Sequence, residues 1–510
     1  MLNNPQMKNW SLALAPLLTG VLLVLCFPPF KLFFPSFIAL IPFFYFLERE
    51  SSTARTILGA FLCGFIFWGG LLYWITLFTR AGYLVLILIM TMNQVIFALL
   101  VRKLKDRLGI PLVISAPFVW TAIEYIHAYS DLALTWGQIA YTLTDYPVWL
   151  QMASYTGSYG ITFWLVAINA LLYETGVRMS KGKMLRPLPA LLTAFFILPP
   201  GLGIFRYLTY EKTTNWQSDQ LKVCYVQPSI PQDIKWSPGM RDSTFELLAS
   251  LSTAQARNGP ELVLWPEAAA PANLRLDLPC QRFVGDLARR LNAYLLTGAP
   301  EYRLRKDGKD YDSFNSAFLF DPQGKLIGSY DKIHMVPVSE RMPFEDIFTS
   351  LQEIDVGGSH FMPGTSYAVF RMEKEKFGVL ICFESSFPEL SREFTSRGAN
   401  FLVNITNDAW FERTSAAYQH SAFLVLRAIE EGREIIRSAN TGISAFYDRL
   451  GRRRLATVLF EQSSATDTIR TYRDFTFYCC HGDWPAHLCC AVSSILTLLL
   501  FIPRKILKLT

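Results

Sequence analysis

FGVLICFESSFPELSREFTSRGANFLVNITND (377–408) holds the pattern that decides the fold. Two short apolar runs, FGVLICFE (377–384) and NFLVNITND (400–408), flank a stretch with helical periodicity and mixed charge at 386–397. A short, nearly continuous apolar run bounded by polar residues reads as a buried strand. Strand, helix, strand in succession reads as part of a sheet covered by helices. The pattern repeats outward. LKVCYVQP (221–228), ELVLWPE (261–267), AYLLTGAP (293–300) and NSAFLFD (315–321) read as further strands, and 241–257, 281–292 and 419–438 as helices. Polar residues gather where these strands end: Glu267, Cys382 with Glu384, and Asn407 with Asp408. Open α/β sheets place their sites at such strand ends.

Beyond this block the composition changes. Of 510 residues, 51% are hydrophobic and 18% charged, against about 25% charged in an average soluble domain. Mean hydropathy is +0.24. The apolar surplus lies in 10–207 and 486–503. A bilayer core needs roughly 17–25 mostly apolar residues per helix. Segments near 10–28, 33–47, 57–79, 82–101, 110–128, 157–174, 188–207 and 486–503 fit, with 33–47 and 157–174 the shortest. The first lacks a small-residue cleavage pattern and reads as a retained span rather than a signal peptide. The expected organisation is a membrane domain of about seven helices (1–207), an extracytoplasmic α/β domain (208–485), and a last helix with a cytoplasmic tail (486–510).

Lysine and arginine in the short loops orient such a bundle. One set of connections carries Lys8, Arg49, Arg55, Arg102, Lys103, Lys105, Arg107, Arg178, Lys181, Lys183, Arg186, Arg504, Lys505 and Lys508. The opposite set carries only Lys31 and Arg80. Fourteen against two places both termini in the cytoplasm and 208–485 outside. The net charge of +6 includes no basic run with interleaved aromatics, which argues against a nucleic-acid partner. Nine cysteines form no CxxC, and no HExxH occurs, so no metal site is expected.

Singly, the candidate catalytic residues are weak signals. Cys382 in an apolar run reads as an inert core thiol, Glu267 after Trp265-Pro266 as half of an ion pair, and Lys332 in SYDKIHMVP as a surface lysine. Together they have a chemical logic. A thiol with an ordinary pKa of about 8.5 needs a base or a nearby cation. A carboxylate can take its proton, and an ammonium can stabilise both the thiolate and a tetrahedral oxyanion. No histidine stands in a papain-like context, and His334 reads as a loop organiser.

The order WPE…YDKIHMVPVSE…ICFE resembles the Glu-Lys-Cys signature of the nitrilase (carbon–nitrogen hydrolase) superfamily. VQPSIPQDIKW (226–236), the stretch 404–451, FPPF (27–30) and HGDW (481–484) resemble its membrane branch, the apolipoprotein N-acyltransferases. The resemblance implies a multi-pass helical membrane bundle of about eight spans joined to an αββα sandwich. It implies Glu267 as base, Lys332 as oxyanion partner, Cys382 as nucleophile and Glu340 as the glutamate that orients the lysine. Trp236, Phe383 and Glu384 match positions beside the lipid entrance and the nucleophile. The chain departs from the family's VPFGE at Val338-Ser339, and has Phe383 where a tyrosine often follows the cysteine. The implied reaction moves an acyl chain from a phosphatidylethanolamine-like phospholipid through a Cys382 thioester to the amine of a diacylglyceryl-cysteine on an apolipoprotein. No cofactor is required. The implied location is the bacterial inner membrane, with the catalytic domain on the periplasmic side. A membrane-tethered amidase or nitrilase, and a catalytically inactive lipid-binding scaffold, are the rival readings. A transporter is disfavoured because Glu124 is the clearest of few ionisable residues in the spans.

The charge alternation predicts that a topology reporter fused after Asp321 is active outside the cytoplasm, and reporters after Lys105 and Lys508 inside. A cytoplasmic signal from the Asp321 fusion would overturn the orientation.

Overall fold

The structure is a computed structural model describing residues 5–129, 132–183, 187–214, 219–237, 239–305, 308–348 and 360–503. Arg186, Arg504, Lys505 and Lys508 of the basic set lie outside the described residues. The chain divides into two compact units, one of 1–129, 134–208 and 481–510, the other of 130–133 and 209–480.

The first unit is helical. Thr53–Leu71, Arg80–Leu108, Ala153–Ser180 and Pro187–Tyr210 are long and apolar enough to cross a membrane, and Ser11–Cys26, Leu112–His127 and Trp484–Leu499 are shorter apolar helices. The segment expected at 33–47 is a 3₁₀ turn, Phe34–Phe37, followed by a nine-residue helix, Ile41–Arg49. Pro35 and Pro42 each fall at the start of one of these pieces, where a missing N–H costs nothing. Nine residues rise only about 14 Å, so this element does not span a core of about 30 Å. It is held instead by Asn169, whose Oδ1 accepts from the Leu40 N–H (2.9 Å) while Nδ2 donates to the Ser36 carbonyl (2.9 Å). The basic stretch 102–107 bonds two other segments of this unit. Lys105 Nζ bonds Glu48 Oε2 at 2.5 Å, Arg102 bonds the Ser51 carbonyl, and Arg107 donates to the Ile502 carbonyl at 3.1 Å.

The second unit is an α/β sandwich of two six-stranded sheets. Its strands are β1 (Asp219–Gln227), β2 (Leu262–Leu264), β3 (Tyr294–Leu304), β4 (Tyr311–Phe320), β5 (Leu326–Asp331), β6 (Val369–Arg371), β7 (Lys376–Ile381), β8 (Phe401–Thr406), β9 (Ile435–Ala439), β10 (Ala445–Tyr447), β11 (Arg453–Arg454) and β12 (Ser463–Thr471). One sheet runs β12-β1-β2-β3-β4-β5, the other β11-β10-β9-β8-β7-β6. Among the described strands, the pairs are antiparallel except within β1-β2-β3 and β7-β8-β9, which pair in parallel. These are the runs with continuous apolar sequence, because a parallel strand is buried on both faces. The helices Met240–Ala254 and Leu278–Leu291 cover the first sheet, packing Phe245, Leu248, Val284 and Leu287 onto Val263, Trp265 and Leu295. Between the sheets, Ser438 Oγ on β9 bonds the carbonyl oxygens of Val226 (2.9 Å) and Leu264 (3.1 Å).

The helix expected over 419–438 runs instead from Ser415 to Glu431 and ends on left-handed Gly432 (φ 61°). Ile435–Ala439 is β9. A glycine C-cap stops the helix, and the isoleucine pair that follows extends into the sheet.

β3 lies unusually close to the segment that carries Glu267. The N–H of Gly298 donates to the Pro266 carbonyl at 3.2 Å, and its carbonyl accepts from the Ala270 N–H at 3.1 Å. A Cβ on Gly298 would lie 2.5 Å from Ala268 N and 2.7 Å from Glu267 Cα. Gly298→Ala is therefore expected to destabilise the chain by about 1–3 kcal/mol, the usual cost of overpacking, seen as a lowered Tm. An unchanged Tm would mean that the two segments separate freely.

Candidate active site

Glu267, Lys332 and Cys382 arrive from three different strand ends. Glu267 follows β2, Lys332 follows β5 directly, and Cys382 follows β7. Each strand is fixed by its own ladder, so the three side chains converge because the two sheets pack face to face.

Lys332 has no solvent exposure. Its Nζ lies 2.8 Å from Glu340 Oε1 and 3.8 Å from Glu267 Oε1. Burial alone would lower its pKa, but Glu340, Cys382 and Glu267 outweigh burial and hold the ammonium well above the ordinary range. Glu267 is buried at 6% exposure with both oxygens committed. Oε1 accepts from Asn315 Nδ2 at 2.7 Å, and Oε2 from the backbone N–H of Asn407 at 2.8 Å. Glu340 also accepts from the Val336 N–H at 2.8 Å, which closes its loop around the lysine. In that loop the left-handed residue is Val338 (φ 69°), not Ser339, so the serine at the family's glycine position meets no conformational demand for glycine.

Cys382 is half-buried, and its backbone is left-handed (φ 52°). A residue with a Cβ in that region stores strain on the order of 1–3 kcal/mol, and here it turns the chain sharply out of β7. Burial raises the thiol's pKa, Glu267 raises it further, and Lys332 partly opposes them, leaving it above the ordinary thiol range. A thiol in such surroundings needs a base to take its proton during attack.

Glu384 is fully buried and sits under the Cys382 turn. It accepts from Ile381 N (2.7 Å), Tyr330 Oη (2.8 Å), Ile333 N (2.6 Å) and His334 N (3.3 Å), tying the β7 turn to the chain around Lys332. Burial raises its pKa to about 7, against the pull of the Ile381 and Ile333 N–H groups. Phe383 is buried with its ring edge-on to Phe387 (5.0 Å), while Trp236 is about half exposed. His334 stacks on Phe387 with ring centroids 4.3 Å apart, and burial depresses its pKa to about 4.

Four further groups at this site lie outside the motifs that the sequence singles out. Asn315 steadies the Glu267 carboxylate. Lys235, at 2% exposure, approaches the Glu267 carbonyl at 3.4 Å, and burial lowers its pKa to about 8. His420 and Arg437 bond Asp408 beneath Cys382. Only Asp408 stands out beforehand, as a polar residue at a strand end. The sequence signal at His420 and Arg437 is a polar side chain inside a largely apolar helix or strand. Among the described residues no group of His, Cys, Asp and Glu could hold a metal ion.

Residues 19–171 match the apolipoprotein N-acyltransferase N-terminal domain, and 222–468 match the carbon–nitrogen hydrolase domain. The apolipoprotein N-acyltransferase of Geobacter metallireducens is 33% identical, over 97% of this chain and 96% of that protein. That of Chlorobaculum tepidum is 29% identical, over 96% of each. Among solved structures, a carbon–nitrogen hydrolase from Helicobacter pylori matches at 18% identity and a TM-score of 0.40, over 49% of this chain and 89% of that one. With near-complete coverage at this level of identity, the chain belongs to the apolipoprotein N-acyltransferase family.

Proposed function

We propose that this chain is a membrane acyltransferase that completes lipoprotein maturation by N-acylating the N-terminal diacylglyceryl-cysteine of apolipoproteins. Family membership supports lipoprotein N-acylation and a membrane setting. The observation that carries the mechanism is the meeting of the Cys382 thiol, the fully buried Lys332 side chain and the doubly hydrogen-bonded Glu267 carboxyl group.

In the first half-reaction, Glu267 accepts the thiol proton as Cys382 Sγ attacks the sn-1 ester carbon of a phospholipid such as phosphatidylethanolamine. Lys332, oriented by Glu340, stabilises the oxyanion. Collapse breaks the carbon–oxygen bond, Glu267 returns the proton to the departing glycerol oxygen, and a lysophospholipid leaves behind a thioester. In the second, the α-amine of the lipoprotein cysteine attacks the thioester carbon. Its proton passes to Glu267 and then to sulfur as the carbon–sulfur bond breaks. The thioester carries the energy of the ester it replaced, so no cofactor takes part.

Both substrates are lipid-anchored, so the reaction belongs at a bilayer surface. The loop charges favour a helical domain (1–207) and final helix (486–510) in the bacterial inner membrane, both termini cytoplasmic, with the domain at 208–485 periplasmic. Trp236, half exposed near the site, fits a wall of the lipid entrance.

Cys382→Ala and Cys382→Ser should form no thioester, since nothing replaces the thiolate. Glu267→Gln keeps the shape but loses the base, and acylation should slow greatly. Lys332→Ala should cost about 10²–10³-fold, as for a lost oxyanion donor. Cys224→Ala and Cys280→Ala should retain activity. A thiol-reactive lipid analogue followed across these variants reads the first step. Mass spectrometry of lipoprotein N-termini with and without the protein reads the overall reaction. Transfer by Cys382→Ala, or triacylation unchanged in cells lacking the protein, would refute this assignment.

A further inference from the structure

His420, on the helix Ser415–Glu431, is completely buried. Its Nε2 lies 3.0 Å from the backbone carbonyl oxygen of Cys382, and its Nδ1 2.9 Å from Asp408 Oδ1. A carbonyl oxygen can only accept, so Nε2 carries a proton and donates it. The ring is held in turn from behind. Asp408 Oδ2 accepts from Arg437 Nη2 at 2.6 Å, and Asp408 Oδ1 accepts from Thr406 Oγ1 at 2.9 Å. Arg437 is itself fixed by Asn404 Oδ1 (2.5 Å) and the Ile443 carbonyl (3.0 Å). A side chain on Gly442 would strike the Asp408 carboxylate, so the chain leaves room for this network. Ser385 Oγ donates to the same Cys382 oxygen at 3.0 Å, and the carbonyl thus receives two donors.

The arrangement has the members of a nucleophile–histidine–aspartate relay but points at the wrong atom for one. The imidazole addresses the carbonyl of Cys382 rather than its sulfur, so it does not take the thiol proton. What it holds is the peptide that follows the one left-handed residue in the triad (φ 52°). That backbone conformation is disfavoured for any residue with a Cβ. If its carbonyl lost these donors, the turn could relax toward extended geometry and swing Sγ away from Glu267 and Lys332.

We propose that His420 is a positioning residue for acyl transfer, which locks the Cys382 turn through its Nε2–H while Asp408 and Arg437 lock the ring. This rests on the assignment of Cys382 as nucleophile made above. The test uses the full chain in phosphatidylethanolamine-containing proteoliposomes and measures the single-turnover rate of thioester formation, alkylation of Cys382 by iodoacetamide, and Tm. His420→Gln places an amide N–H where Nε2 was and keeps the donor to Cys382. His420→Asn reaches only as far as Nδ1, so it keeps the Asp408 contact and loses that donor. His420→Gln is expected to stay within about threefold of the parent, and His420→Asn to slow thioester formation about ten- to a hundredfold, the scale of a misplaced reacting group, at similar Tm. Ser385→Ala, which removes the other donor, should slow the same step by a smaller factor. A parental rate in His420→Asn, or equal losses in the Gln and Asn variants, overturns the proposal. If neither histidine variant folds, Ser385→Ala decides, and a parental rate there overturns it. Cys382→Ala run in parallel separates the two readings. Thioester in that variant removes the nucleophile assignment itself, whereas a dead Cys382→Ala with indistinguishable histidine variants removes only the role of His420.

Discussion

An ammonium with no solvent exposure is the constraint around which this site is organised. Removing a lysine from water costs several kcal/mol unless opposite charge and hydrogen bonds replace its hydration. For Lys332 they come from Glu340 at 2.8 Å and Glu267 at 3.8 Å. Neither carboxylate is left to drift toward the cation. Glu340 is pinned by Val336 N, and Glu267 by Asn315 and Asn407 N. The positive charge is therefore fixed in space before any substrate arrives, and a preorganised charge stabilises a developing oxyanion without reorganising.

Three carboxylates, Glu267 and Glu384 buried and Glu340 partly so, serve three purposes, and their partners tell them apart. Glu267 faces the lysine and the thiol and makes only two direct hydrogen bonds, so it retains acceptor capacity for a proton. Glu340 is a counter-ion. Glu384 is saturated by donors from β5, from the loop after it and from β7, which makes it a clamp between the Lys332 segment and the Cys382 turn. Below the turn, Asp408 is a fourth acid, held well below the usual carboxylate range because Arg437 and His420 outweigh its burial. The site is thus a set of strand ends cross-linked by buried ionic and polar contacts. Such contacts are worth most where water is excluded and cost most where one partner is missing.

Much of this was legible in the chain. The parallel strands announced themselves as unbroken apolar runs because both faces are covered. The order WPE, DK, CFE singled out Glu267, Lys332 and Cys382 through its resemblance to a known family, and the fold brings those three side chains together. The readings that moved have local causes. Helical periodicity in the sequence continues past Glu431, but Gly432 ends the helix and Ile435-Ile436 enter β9. The segment at 33–47 carries enough apolar residues for a span, yet its prolines break it into a turn and a nine-residue helix. Hydropathy counts residues and does not register where a backbone can continue.

By itself the sequence determined the division into an apolar helical part and an α/β part, the residue types needed for cysteine-based acyl chemistry, and the family. These follow from composition, periodicity and order along the chain, which are one-dimensional properties. Only the tertiary structure decided that Lys332 is fully buried, that Glu384 is a clamp within the fold, and that Asn315, Lys235 and His420 belong to the site. Asn315 and Glu267 are 48 positions apart, and His420 and Cys382 are 38 apart. Hydrogen bonds act over about 3 Å, and that proximity exists only once two sheets have packed and brought distant strand ends together.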